Sequence, residues 1–178
     1  SYSSAIPAAV VTIFGALLLV YRSRMRWNLA AALMFLGLAG WAIGGVGALI
    51  DSTISANVRL HNTLWVPAHF HTYNLLGNVF FSLAFASWFA DEIGNKKIAP
   101  TMVKIIFSLL VIGGVGFVLA FYLGGAFSVP RRVDMYNEVV SEGVSLAQMA
   151  VVFATLYLVG MVIYTFDFTK RCAGQLFS

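Results

Sequence analysis

Five continuously apolar stretches, roughly 3–21, 29–50, 64–90, 101–128 and 144–167, alternate with short segments that hold most of the charged and turn-forming residues. A helix needs about 20 apolar residues to cross the roughly 30 Å of hydrocarbon in a bilayer. Lipid cannot satisfy exposed backbone groups, so a spanning chain must be helical or a closed barrel. Barrel strands alternate apolar and polar positions with a period of two, and these runs show no such alternation. The pattern predicts an all-α, polytopic membrane bundle of five transmembrane helices, a single transmembrane domain over 1–178. No soluble domain, low-complexity tract or repeat interrupts it.

Composition strengthens this reading. The chain is 60% hydrophobic and only 10% charged, where a soluble domain carries about 25% charged residues. Cys172 is the single cysteine, which excludes an internal disulfide and any multi-cysteine metal site. The first span has no basic n-region and no cleavage site before it, so no signal peptide is expected. The formal net charge of +4 is not gathered on an amphipathic face. It predicts topology rather than nucleic-acid binding, and no nucleic-acid partner is expected.

With loops numbered alternately, Arg22, Arg24, Arg26, Lys96, Lys97, Lys104, Lys170 and Arg171 fall on one side, and Arg59, Arg131 and Arg132 on the other. The positive-inside rule places the first side, with the C-terminus, in the cytoplasm. The N-terminus then lies outside, as in the continuation of a longer bundle, and the expected location is a prokaryotic plasma membrane. Gly37, Gly40, Gly44, Gly45 and Gly47 in the second span, and Gly113, Gly114 and Gly116 in the fourth, read as sites of close helix packing.

Ionisable residues within a span are costly and usually functional. His69 and His71 lie in the third span, roughly 7–10 Å below its outer end at about 1.5 Å per residue. Two residues of α-helix turn a side chain by about 200°, so the imidazoles point to opposite sides with Phe70 between them. They cannot share one metal, which would favour an i, i+4 pair. The geometry fits two separate cofactors flanking one helix, and haem iron accepts an axial imidazole. Two interhelical hydrogen bonds remain the alternative. Pro130-Arg131-Arg132 follows the fourth span on the same outer side. Paired arginines there suit bidentate binding of carboxylates such as haem propionates, or form a solvated loop.

The string HNTLWVPAHFH, residues 61–71, closely resembles the start of the tenth helix in subunit I of the haem-copper oxygen reductases. Pro130-Arg131-Arg132 stands where that family has it, and Ala5-Ile6-Pro7 resembles the family's eighth helix. The resemblance covers essentially the whole chain, as helices eight to twelve of a twelve-helix core. Asn62, with Trp65-Val66-Pro67, points to the B-type branch. The resemblance implies that His69 is the axial ligand of a high-spin haem where oxygen is reduced. It makes His71 one axial ligand of a low-spin haem on the other face. His61 and Asn62 then sit over the high-spin haem propionates, and Arg131 and Arg132 pair with propionates. In the mitochondrial-like type the aligned His and Asp help hold magnesium; Asn62 removes that carboxylate.

The implied function is the C-terminal half of a respiratory terminal oxidase's catalytic subunit. It would reduce dioxygen to water with electrons from quinol or a small electron carrier and move protons. Two departures qualify this. The second low-spin ligand, three copper-binding histidines and a cross-linked tyrosine come from helices two, six and seven in the family, and this chain has three histidines in all. The resemblance therefore requires the N-terminal part of subunit I, helices one to seven, as a separate chain or a further segment. It also implies subunit II, accessory subunits, a quinol or small redox protein as donor, and a lipid membrane. Secondly, the mitochondrial-like proton-channel lysine is Val11 here, and Ala8 follows the first-span proline; Ser4 and Thr12 are the candidate relay. A nitric oxide reductase-type relative and a non-catalytic di-haem electron-transfer subunit remain the alternatives.

Overall fold

The computed structural model describes residues 2–24, 26–94, 97–132 and 141–176. In chain order these form α1 (Tyr2–Ser23), α2 (Leu29–Asp51), α3 (Ile54–Leu60), α4 (Trp65–His71), a π-helical segment (Thr72–Asn78), α5 (Val79–Ile93), α6 (Pro100–Ala126) and α7 (Ser141–Leu176). No strand occurs among the described residues. Local chemistry sets several of the starts. The Asn28 side chain accepts the Ala31 N–H at 2.9 Å and caps α2. Pro100 opens α6 and Pro67 falls in the first turn of α4, positions where a helix N–H has no intrahelical partner.

The expected spans recur with one difference. Leu29–Asp51, Pro100–Ala126 and Gly143–Ala173 are each long and apolar enough to cross a bilayer, and α1 is helical over the 22 residues Tyr2–Ser23. The third expected span is one uninterrupted helical run, but its middle widens from α to π geometry at Thr72–Asn78. Five spans are therefore not matched one for one by five regular helices.

The core lies where α2, the π segment with α5, α6 and α7 meet, around Leu33, Leu76, Phe80, Ile106 and Leu110. The glycines of α2 let it approach the third run closely. A Cβ on Gly40 would come 2.5 Å from the Leu76 carbonyl oxygen, and one on Gly44 3.0 Å from the Tyr73 ring. The outside carries exposed large apolar side chains such as Val11, Phe14, Leu19, Val151 and Phe166, as a lipid-facing surface requires. Asp91 and Asp167 hold the buried Arg171 guanidinium at 2.9 and 2.8 Å, tying the far end of α7 to α5.

Candidate functional site

The site is built from two loops and one helix. Leu64 N–H donates to the Val129 carbonyl and Arg131 N–H to the Asn62 carbonyl, both at 2.9 Å. Thr63 and Pro130 thereby form an isolated antiparallel bridge. Thr63 Oγ1 donates to Leu60 O at 2.8 Å and accepts the Trp65 N–H at 3.2 Å, which sets where α4 begins. Ser128 and Arg132, on either side of the bridged tripeptide, both adopt φ 61°. That left-handed conformation is unfavourable for residues other than glycine, so the bridge holds the turn against its local preference. His61, Asn62 and Arg132 are exposed at this corner, and Arg131 is half-buried.

Below the corner the two imidazoles diverge. His69 meets the Tyr73 ring edge-on, with centroids 5.1 Å apart. Its Nδ1 lies against α2, 2.9 Å from where a Gly47 Cβ would stand. His71 faces α6 and meets Phe117 and Phe121 edge-on at 5.2 and 5.8 Å. Each histidine adjoins an apolar cavity through its aromatic neighbours. Tyr73 lines a cavity of about 860 Å³ with Trp41, Gly45, Leu49 and Thr12. Phe117 and Phe121 line one of about 240 Å³ between α6 and α7.

Three polar atoms here are buried without a hydrogen-bond partner among the described residues: His69 Nδ1, Trp65 Nε1 and Arg131 Nε. Such groups are rare unless a ligand or water completes them. A flat apolar ring system with carboxylates at one edge suits this arrangement. Imidazoles stand beside apolar space, and an arginine and an indole N–H are left over at the loop end. The residues fit haem.

Sequence reasoning missed two features. Asp51, at the end of α2, interacts electrostatically with His69 and His61 and faces the Trp65 indole, although hydrogen-bond geometry to that indole is not reached. Its signal was a lone carboxylate closing an apolar span ten residues before His61. The second is a pair of buried tyrosines on α7, Tyr157 and Tyr164, whose hydroxyls donate to the Leu75 and Leu83 carbonyls at 3.1 and 2.9 Å. Thr72 reaches Tyr122 on α6 at 3.3 Å, and Asn78 accepts the Trp41 indole N–H of α2 at 3.2 Å. Asn74 bonds within its own helix, to Phe70 O at 3.0 Å. Lys96, Asp134, Glu138 and the side chains of Ser4 and Glu142 lie outside the described residues.

The sequence model of the cytochrome C and quinol oxidase polypeptide I family matches residues 1–167. The chain belongs to this family. It is 28% identical over 162 residues to cytochrome c oxidase subunit 1 of Bacillus subtilis, covering 89% of this chain and 25% of that protein. It is also 28% identical over 165 residues to a probable quinol oxidase subunit 1 of Staphylococcus epidermidis, covering 87% of this chain and 24% of the relative. The fold matches a heme-copper terminal oxidase dimer solved by cryo-EM with a TM-score of 0.66 at 22% identity, over 83% of this chain and 27% of that one. The chain thus spans about a quarter of the length of the curated relatives it matches. Within it, the fold brings His61, Asn62 and Arg131 to one corner with His69 and His71 beneath, while Arg132 follows on the exposed side of the bridge.

Proposed function

We propose that the chain is the part of a terminal oxidase's catalytic subunit I that corresponds to helices eight to twelve, of the B-type branch indicated by Asn62 and Trp65-Val66-Pro67. The whole enzyme reduces dioxygen to water with electrons from quinol or a cytochrome c-like donor and couples this to proton translocation. When bound, its two haems and copper supply the electron relay and the oxygen-reducing centre. The observation that carries the reading is the divergence of His69 toward α2 and His71 toward α6 on one helix.

In this reading His69 would hold the high-spin haem iron and His71 the low-spin haem iron. Phe117 and Phe121 fix the His71 ring and exclude water from its face. Arg131 and the Trp65 indole donate to propionates at the loop end, with His61, Asn62 and Arg132 beside them. Charge-assisted bonds of this kind are about twice as strong as neutral ones. The second axial ligand and the copper ligands belong to helices one to seven, in a partner chain or a further segment, and subunit II and accessory subunits complete the assembly. Thr12, on the wall of the larger cavity, stays the candidate proton-relay hydroxyl, with Ser4. The C-terminus faces the cytoplasm of a prokaryotic plasma membrane.

The test is a pair of substitutions in the assembled complex, read by reduced-minus-oxidised spectra with and without carbon monoxide. His71→Ala is expected to lose the low-spin haem signal and His69→Ala the carbon monoxide-binding one. Retention of both haems in both variants refutes the assignment. Iron without copper in the purified complex would favour the nitric oxide reductase-type relative.

A further inference from the structure

The π segment begins at Thr72, directly after His71, and changes the hydrogen-bond count of the helix. Val79 N–H bonds to the Asn74 carbonyl, five residues back. Where a helix returns from five-residue to four-residue spacing, one carbonyl is passed over. Leu75 is next in line after Asn74, and its carbonyl accepts the Tyr157 hydroxyl of α7 at 3.1 Å. Tyr157 is only 8% exposed, so the bond is made within packed protein, where an unpaired carbonyl is costly.

The surroundings admit the ring to this place. Tyr157 stacks on Phe80, with centroids 6.4 Å apart and planes 20° apart. Gly114 of α6 leaves the gap it passes through: a Cβ there would lie 2.8 Å from Leu76 Cδ2 and 3.1 Å from the Tyr157 ring. Seven residues further along α7, Tyr164 donates to Leu83 O at 2.9 Å and bonds Ser87 Oγ at 3.0 Å. Leu83 lies inside regular α5, so that bond is additional to a normal helix ladder. Only the Tyr157 bond serves the carbonyl next to the π register.

A π turn holds one residue more than an α turn, so restoring α geometry rotates one end of the helix against the other by about 100°. Leu76, Phe80 and Leu83 are fixed in the core. A change of register is therefore taken up on the α4 side, between the π segment and the Thr63–Pro130 bridge, where His69 and His71 lie. We propose that the Tyr157 hydroxyl, by holding the surplus Leu75 carbonyl, is a positioning residue that fixes the angle at which the two histidines are presented to α2 and α6. This rests on the reading of His69 and His71 as haem ligands.

The experiment compares Tyr157→Phe and Tyr164→Phe in the assembled oxidase, by haem content and by the electron paramagnetic resonance g values of the low-spin haem, which report the orientation of axial imidazole planes. Tyr157→Phe is expected to shift the g values at unchanged haem content, and Tyr164→Phe to leave them in place. Unshifted g values in Tyr157→Phe, or equal shifts in both variants, overturn the proposal in favour of plain packing. Should Tyr157→Phe not assemble, Tyr157→His, which keeps a ring N–H donor, decides. Its assembly supports a requirement for the donor, and its failure as well overturns the proposal. Failure of the ligand reading itself is distinguishable, because it shows as retention of both haems in His69→Ala and His71→Ala.

Discussion

Gly47→Ala is the sharpest perturbation available at the histidines without touching either of them. The added methyl would stand 2.9 Å from His69 Nδ1 and 3.0 Å from the Tyr122 hydroxyl. Ordinary contacts of a Cβ begin near 3.4 Å, so the imidazole and the phenol must each withdraw by roughly half an ångström. Neither moves freely, since His69 is packed edge-on to Tyr73 and Tyr122 edge-on to Trp65, with centroids 4.7 Å apart. Forcing one methyl into a filled site of this kind costs about 1–3 kcal/mol. The methyl meets His69 directly, whereas its nearest α6 atom is the Tyr122 hydroxyl and not the Phe117 or Phe121 ring that packs on His71. In the assembled complex, Gly47→Ala should alter carbon monoxide binding by the high-spin haem and leave the low-spin spectrum unchanged. Gly15→Ala is the control: a Cβ there meets nothing within 4 Å, and the substitution should be neutral or stabilising by about 0.5–1 kcal/mol. A low-spin shift in Gly47→Ala, or carbon monoxide kinetics equal to those of the unsubstituted complex, would refute the reasoning.

Two further outcomes follow from charges. Arg171→Met removes a guanidinium whose side chain is 5% exposed and leaves Asp91 and Asp167 unpaired. Breaking a fully buried pair costs about 3–5 kcal/mol, and the partial exposure of both carboxylates lowers this to about 2 kcal/mol, read as a drop in Tm in detergent. The destabilisation should be smaller in Arg171→Met/Asp91→Asn than the single effects sum to. Arg131→Gln keeps a donor but removes the charge beside the Asn62 bridge, and should loosen haem during purification; haem-to-protein ratio checks this, and an unchanged ratio counts against a propionate role.

The parts of the fold visible in the sequence are those set by simple periodicities. Continuous apolar runs mark the helices because lipid admits few charges, and the His69–His71 spacing gives opposite faces because α4 stays α-helical through His71. The widening at Thr72–Asn78 has no such mark. Nothing in Thr-Tyr-Asn-Leu-Leu-Gly-Asn distinguishes five-residue from four-residue hydrogen bonding, and the widened register depends on what α7 brings to Leu75. For the same reason the hydroxyls of Tyr157 and Tyr164 could not be assigned before their neighbours were known. Loop alternation put His61 and Arg131 on one side of the membrane, but the backbone bridge between Thr63 and Pro130 needs the packing of Gly125 against Trp65.

The divergence of the two imidazoles has a consequence for how this protein can change over time. His69 lies against Gly47 of α2 and His71 against Phe117 and Phe121 of α6, so substitutions at these positions act on different imidazoles. Sites without shared contacts tend to contribute additively. On the proposed haem ligation, variation at Gly47 adjusts one haem while variation at Phe117 or Phe121 adjusts the other. One helix in the middle then lets a lineage tune the two sites separately, without negotiating a compromise between them.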